Sequence, residues 1–225
     1  MLPRSHALVS GLRTHCARVV REVLELYAPP LCPACDEPTA VHRALCALCL
    51  SGLERTSPTA VQGVLAPYAH DGTLVSLVHR AKFAASELAA QTMGLLLRDC
   101  LSEITAQFDV VVPVPLHDQR LRERGYNQSH VIAQMLDAGP VVHALARPKR
   151  TLAQARLTRE DRADNVRDAF VLQNPRLVRG LRVLLVDDVV TTGATLTAAH
   201  TALLAAQPSS VHCVAVARAI LRSGL

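Results

Sequence analysis

The thirteen residues VLLVDDVVTTGAT, positions 183 to 195, constrain the fold more than any other part of this chain. The apolar run from Val183 to Val186 suits a strand buried on both faces, and two adjacent carboxylates, Asp187 and Asp188, are expected to end it. Val189 and Val190 then lead through Thr191, Thr192 and Gly193 into a helix that takes in Ala194 and Thr195. This order sets two anions at the carboxyl end of a strand, beside hydroxyls, a glycine and the N–H groups of a helix start, where phosphates bind. A plain strand-to-helix turn explains the pattern less well, because a buried strand gains nothing from two like charges at its end. A diol for the carboxylates and a phosphate one sugar-length away for the loop describe a single ligand, a ribose 5-phosphate.

The stretch closely resembles the phosphoribosyl-pyrophosphate (PRPP) signature of type I phosphoribosyltransferases: four apolar residues, two acidic, two apolar, then a Thr/Gly loop. All thirteen positions comply. The resemblance implies that Asp187 and Asp188 hold the ribose hydroxyls and that the loop Thr191, Thr192, Gly193, Ala194 and Thr195, entered through Val189 and Val190, holds the 5-phosphate.

At 225 residues the chain has room for one domain of about 150 residues and a small appendage. Half of it is apolar, yet only 3% is aromatic and Trp is absent, so the core must be aliphatic. No run approaches the roughly 18 to 20 apolar residues of a bilayer span, and the first residues lack the pattern of a cleaved leader. A cytoplasmic location without membrane insertion is the expectation. The net charge of +5 suits a polyphosphate substrate and equally permits nucleic-acid contact.

Cys32, Cys35, Cys46 and Cys49 form two C-x2-C pairs ten residues apart, a spacing that sets four thiolates around one Zn²⁺. Two disulfides or a redox dithiol are the competing readings, but nothing points to an oxidising compartment and no thioredoxin-like strand precedes either pair. His42, between the pairs, could replace a cysteine, though a solvent-facing loop histidine is the simpler assignment. Four cysteines leave no open coordination position, so the expected zinc is structural. Cys16, Cys100 and Cys213 sit in apolar patterns and read as buried thiols.

Along the chain, residues 8 to 27 read as an amphipathic helix ending at Pro29 and Pro30, which with the cysteines makes an N-terminal module over residues 1–50. Residues 51–63 read as a linker. Residues 64–225 form the main domain: a strand near 64–68, helices near 73–82 and 86–100, strands at 110–114, 141–145, 181–186 and 211–217, and helices near 128–138 and 194–206. Alternation of this kind implies an α/β fold, a parallel sheet flanked by helices.

Two further loops complete the reading. In DVVVPVPLHDQRLRERGYNQS, residues 109 to 129, Pro113 and Pro115 are expected to stop strand pairing before a run of arginines. If this strand adjoins 183–186, its loop crosses the same crevice, with Pro115, Arg122, Arg124 and Asn127 as candidates for a pyrophosphate; an ordinary basic helix start is the alternative. Residues 146 to 170 carry seven Arg or Lys with weak periodicity, which suits a lid that excludes water, Lys149 and Arg150 being its best candidates to reach a leaving group, or else a tethered loop without a catalytic part.

Taken in order, these pieces resemble the ComF/GntX-like family of phosphoribosyltransferase-fold proteins, which begin with a small zinc ribbon. The likeness runs through Pro30, Cys32, Pro33 and Cys35; Tyr68, Lys82 and Phe83; Pro113 to Leu116; Arg122, Arg124, Gly125, Asn127 and Gln128; Thr151, Gln154, Arg162, Asn165 and Phe170; and the 183–195 motif. It implies a link to natural competence, a Mg²⁺-dependent transfer of ribose 5-phosphate from PRPP, and catalytic roles for Asp187, Asp188, Lys149 and Arg150. No nucleobase-pocket motif is matched, so the acceptor is not carried over, and the oligomeric state stays open. Three functions follow in order: a transferase acting on a base-like acceptor, a single-stranded DNA-binding accessory working with competence-machinery proteins, and a PRPP or nucleotide sensor. The scattered aromatics Tyr68, Phe83, Tyr126 and Phe170 weigh against a stacking platform for DNA.

Overall fold

The structure is a computed structural model that describes residues 29–39, 44–56, 63–102, 107–148 and 169–219. The expected helix at 8–27, Cys16, His42, Lys149, Arg150, Thr151, Gln154, Arg162 and Asn165 lie outside these residues.

β-Branched and aliphatic runs build the central sheet. Strands β1 (Val64–Leu65) and β2 (Tyr68–Ala69) pair parallel with β7 (Ser210–Arg218), which pairs with β6 (Arg182–Val190), which pairs with β3 (Val110–Pro113). The single strand expected at 64–68 is interrupted at Ala66 and Pro67 but resumes in the same register on β7; Pro67 has no N–H for a ladder. On the outer side of β2, Arg55 bridges Tyr68 and the Thr56 N–H donates to Pro67 O at 2.9 Å, so residues 53–56 lie against the sheet edge.

Helices cover both faces. On one lie α1 (Ala47–Ser51), α2 (Gly72–Phe83), α3 (Glu87–Leu101) and α5 (Gln128–Gln134); on the other lies α6 (Ala194–Leu204). Between β3 and α5 runs the short α4 (Asp118–Arg124). Local chemistry starts these helices where they start: the Asp71 carboxylate accepts the Gly72 N–H, Ser86 Oγ the Ala89 N–H, and Asn127 Oδ1 the Ser129 N–H. The sheet divides the core by parity. Leu184 and Val186 pack with Leu74, Leu77, Met93 and Ile132, whereas Val183 and Leu185 pack with Leu196, Ala199 and Leu203. Each such Val, Leu, Ile or Met side chain, removed from water, stabilises the fold by about 1.5–3 kcal/mol.

Three expectations need correction. Val141–Leu145 is not a strand of the main sheet: Val141 makes one parallel bridge to Val111, after which Leu145–Ala146 (β4) pairs antiparallel with Val171–Leu172 (β5). The helix expected to reach 138 stops at Gln134, because Asp137 takes a left-handed conformation (φ 55°) ahead of Gly139 and Pro140. Strand β6 does not end at Asp187 but runs to Val190, since β7 is equally long and supplies Ala215, Ala217 and Arg218 as partners.

Candidate functional site

All strands of the main sheet are parallel, so the ends of β2, β3, β6 and β7 open on one edge, where ligands of such sheets bind. Asp187 and Asp188 lie on β6 at that edge. Each carboxylate accepts the next backbone N–H: Asp187 Oδ1 from Asp188 at 2.9 Å, and Asp188 Oδ1 from Val189 at 2.7 Å. Side-chain alternation shifts across the pair, for Val189 joins the layer of Leu184 and Val186 while Val190 joins that of Val183 and Leu185.

The two acids have different surroundings. Asp187 Oδ1 also accepts the Ser129 hydroxyl at 3.0 Å, and burial, reinforced by the neighbouring Asp188, pushes its carboxyl up to about 6. Asp188, only 7% exposed, holds the Lys82 ammonium between its oxygens at 3.0 and 2.8 Å. Lys82 reaches it from the last turn of α2. That turn is fixed from behind, where Ala81 O accepts the Tyr126 hydroxyl at 2.7 Å and Gln128 Nε2 at 3.2 Å. His70, following β2, has its Nε2 buried with no hydrogen-bond partner among the described residues, and burial followed by the nearby Lys82 charge holds its pKa below the usual imidazole range.

Beyond the acids the chain turns at Gly193, whose φ of 80° is left-handed, and α6 begins without a side-chain cap from that residue. Its first-turn amides thus face the edge that carries the carboxylates, the arrangement that favours an anion. On the other flank, Arg124 ends α4, bonds Gln128 Oε1 at 3.1 Å, lies 6.0 Å over the Phe83 ring and is within electrostatic reach of Asp188. Arg147, 9% exposed, lies 5.1 Å over Phe170 and within reach of Asp187. A cleft of about 570 Å³ at the opposite end of the sheet, lined by Arg98, Phe108, Leu136 and Arg182 among others, contains none of these groups. The convergence of charge, rather than cavity size, locates the site.

The four cysteines gather as their spacing requires: the Sγ atoms of Cys32, Cys35, Cys46 and Cys49 all lie within 4.8 Å of one another. Backbone N–H groups of Cys46 and Cys49 point at Cys32 Sγ and Cys46 Sγ, each at 3.5 Å. Burial opposes ionisation of Cys32, but N–H donors from Cys46, Ala34 and Cys35 outweigh it and bring the thiol down to about 7. Thiolates held this close, with amide donors on the sulfurs, fit a tetrahedral metal such as zinc. The cluster is joined to α2. Cys32, Leu45 and Cys46 share a core with Leu74, Leu77, Val78 and Ala81, Thr73 Oγ1 donates to Cys49 O at 2.9 Å, and Arg80 forks onto Asp36 with Nη1 to Oδ1 at 2.7 Å.

Residues 84–222 match the family described as the phosphoribosyl transferase domain. The chain belongs to that family. Among curated relatives it is 34% identical to DNA utilization protein YhgH of Salmonella typhimurium over 82% of this chain and 80% of the relative. It is 30% identical to Competence protein F of Haemophilus influenzae (85% and 83%) and 27% identical to Competence protein ComFC of Bacillus subtilis (82% and 75%). These relatives place it in the ComF/GntX-like, competence-associated branch of the phosphoribosyltransferase fold. The orotate phosphoribosyltransferase of Mycobacterium tuberculosis is similar at 20% identity over 74% of this chain and 77% of its own, with a TM-score of 0.36.

In this phosphoribosyltransferase fold, β3 lies directly beside β6 as the arginine-loop reading required, and the Val114 N–H still donates to Val186 O at 2.9 Å. Pairing therefore outlasts Pro113. Val111 sends its N–H outward to Pro140 O, and Pro113, two residues on, lacks the N–H that would face the same edge. Of the pyrophosphate candidates, Arg124 is within electrostatic reach of Asp188, Arg122 is exposed on α4, and Pro115 is partly buried just past β3. The Asn127 amide is engaged in the fold: it caps α5 and donates to Val114 O at 3.0 Å. Lys82, Ser129 and Arg147 are the site residues that reasoning from the motif alone did not pick out. Lys82 figured only in the family likeness.

Among the described residues, no helix is long and apolar enough to cross a membrane.

Proposed function

We propose that this chain binds PRPP with Mg²⁺ at the carboxyl edge of its sheet and transfers ribose 5-phosphate to a base-like acceptor, releasing pyrophosphate, in cytoplasmic handling of incoming DNA. One observation carries the reading: Asp187 and Asp188, the Gly193 turn with the helix start that follows it, and Arg124 converge at the ends of two adjacent parallel strands. That set supplies acceptors for a diol, donors for a phosphate and a cation for a leaving anion.

In this reading Asp187 and Asp188 accept the ribose hydroxyls and orient the sugar, while the amides of Thr191 to Thr195 hold the 5-phosphate. Mg²⁺ bound with PRPP beside Asp187 and Asp188 would supply neutralisation of the leaving charge. The acceptor's electron pair forms the bond to the anomeric carbon as the bond to the pyrophosphate oxygen breaks and its pair departs with pyrophosphate; the acceptor's proton goes to solvent. Arg124, Arg122 and Arg147, with Lys149 and Arg150 in the lid role, stabilise that departing charge. Zinc in the four-cysteine site is structural, holding the module that backs α2.

Calorimetric titration of PRPP with Mg²⁺ into the wild type and into Asp187→Ala/Asp188→Ala tests the proposal. Binding by the wild type that vanishes in the double variant is expected; no binding by the wild type overturns it. A second reading, single-stranded DNA binding, is favoured by Phe83, which is 72% exposed beside Arg124 and able to stack on an unpaired base. Anisotropy of a labelled oligonucleotide, lost in Phe83→Ala and falling steeply with salt, is its expected signature.

A further inference from the structure

The Lys82–Asp188 contact raises a question that the PRPP reading does not answer. Asp188 is almost wholly buried, and a buried carboxylate is costly without a cation. Lys82 supplies one, touching both carboxylate oxygens, while Oδ1 also accepts the Val189 N–H. A ribose hydroxyl must share with the ammonium a carboxylate whose Oδ1 already takes two donors and whose Oδ2 takes one, and being neutral it brings no positive charge in exchange. The same ligand carries its negative charge elsewhere, on the pyrophosphate.

The geometry of the lysine suits a transfer between the two. Its root is rigid, since Tyr126 and Gln128 hold the Ala81 carbonyl and α2 is packed into the shared core. Its arm is a flexible four-carbon stem with a compact charge, and its side chain is 23% exposed. Arg124, a second cation within reach of Asp188 among the described residues, is held by Gln128 and lies over Phe83. Of these two cations, Lys82 is the one free to swing.

We propose that Lys82 is a transferable counter-ion: it neutralises Asp188 before ligand arrives, then passes to the pyrophosphate of PRPP, and so sets the preference for PRPP over plain ribose 5-phosphate. This rests on the PRPP reading of the crevice. A ligand without pyrophosphate leaves the ammonium competing with the diol for Asp188; a ligand with it removes the competitor and gains a charge-assisted hydrogen bond.

The test is calorimetric titration of PRPP with Mg²⁺, and separately of ribose 5-phosphate with Mg²⁺, into the full chain as wild type, Lys82→Met and Lys82→Arg, with thermal melting of each. The wild-type preference for PRPP should fall by about tenfold or more in Lys82→Met, the scale of one charge-assisted hydrogen bond, and return in part in Lys82→Arg. Should Lys82→Met melt far below the wild type, Lys82→Gln, which keeps a donor to Asp188 without the charge, gives the same comparison. Equal losses for both ligands would make Lys82 a structural anchor and overturn the proposal, as would an unchanged preference. A wild type that binds neither ligand overturns the PRPP reading itself, which is a separate outcome.

Discussion

Ionisation of Asp187 links the site to pH. Burial and the charge on Asp188 push its carboxyl up to about 6, with Lys82 and the Ser129 hydroxyl among the groups pulling it back. An ionised Asp187 accepts from a diol and a protonated one accepts less well, so PRPP affinity should weaken as pH falls through 6. The midpoint should move upward in Ser129→Ala, which loses a donor to the ionised form; calorimetry at stepped pH, wild type against variant, separates this from titration of the ligand itself. For stability the sign is opposite. Between the ordinary aspartate value of 3.8 and about 6 the folded chain holds a proton that the unfolded chain has released. The favourable contribution is therefore complete below the lower value and lost as pH rises through the upper one. Asp187→Asn should accordingly melt at or above the wild type at pH 7 while failing to bind PRPP, and a lower melting temperature would show that this charge does not cost stability. Both acids and the Thr/Gly turn were legible in the sequence because they are contiguous. Ser129 and Lys82 were not, being 58 and 106 residues from the carboxylates they contact, and no local pattern carries such a pairing.

Two glycines show how closely the elements depend on backbone geometry. At Gly193 a side chain would be forced into the left-handed region, at about 1–2 kcal/mol, in the turn that aims α6. Gly193→Ala should lose that much in chemical denaturation and weaken PRPP binding more than Asp187 chemistry alone explains. Gly94 is a matter of contact: a Cβ there would lie 2.6 Å from Met135 Cβ and 2.9 Å from Ile132 O, because α3 and α5 touch at this point. Gly94→Ala should destabilise by about 1–3 kcal/mol, and by displacing α5 it should also disturb Ser129; urea unfolding alongside PRPP titration checks both. Element types were readable from apolar periodicity. Their ends were less so, since the length of β7, which carries β6 on to Val190, acts through a pairing partner that a window of sequence does not contain.

At the scale of the molecule, the cysteine module and the sheet domain share one apolar layer rather than meeting at a joint. Cys32, Leu45 and Cys46 pack among the residues of α2, and the far end of that helix places Lys82 on Asp188. Stripping metal from the full chain with a chelator should lower the melting temperature and weaken PRPP binding together, with one calorimetric unfolding transition before and after. Two transitions, or intact binding in the stripped protein, would show the module to be independent. The C-x2-C spacing announced the four-thiol cluster, but not its attachment, which runs through Thr73 and Arg80, residues with no mark in the sequence that ties them to cysteines.

That shared layer bears on how the chain can be divided. The phosphoribosyl transferase match begins at residue 84, one position beyond the end of α2. A fragment trimmed to the match would keep both acids, the Thr/Gly turn and every strand from β3 onward. It would also bare the sheet face that Leu74, Leu77 and Val78 cover, and so should aggregate when expressed alone. The boundary drawn by family likeness and the boundary drawn by foldability do not coincide here, so a recombination event that moved the matched part of this gene by itself would deliver a sticky, incomplete sheet.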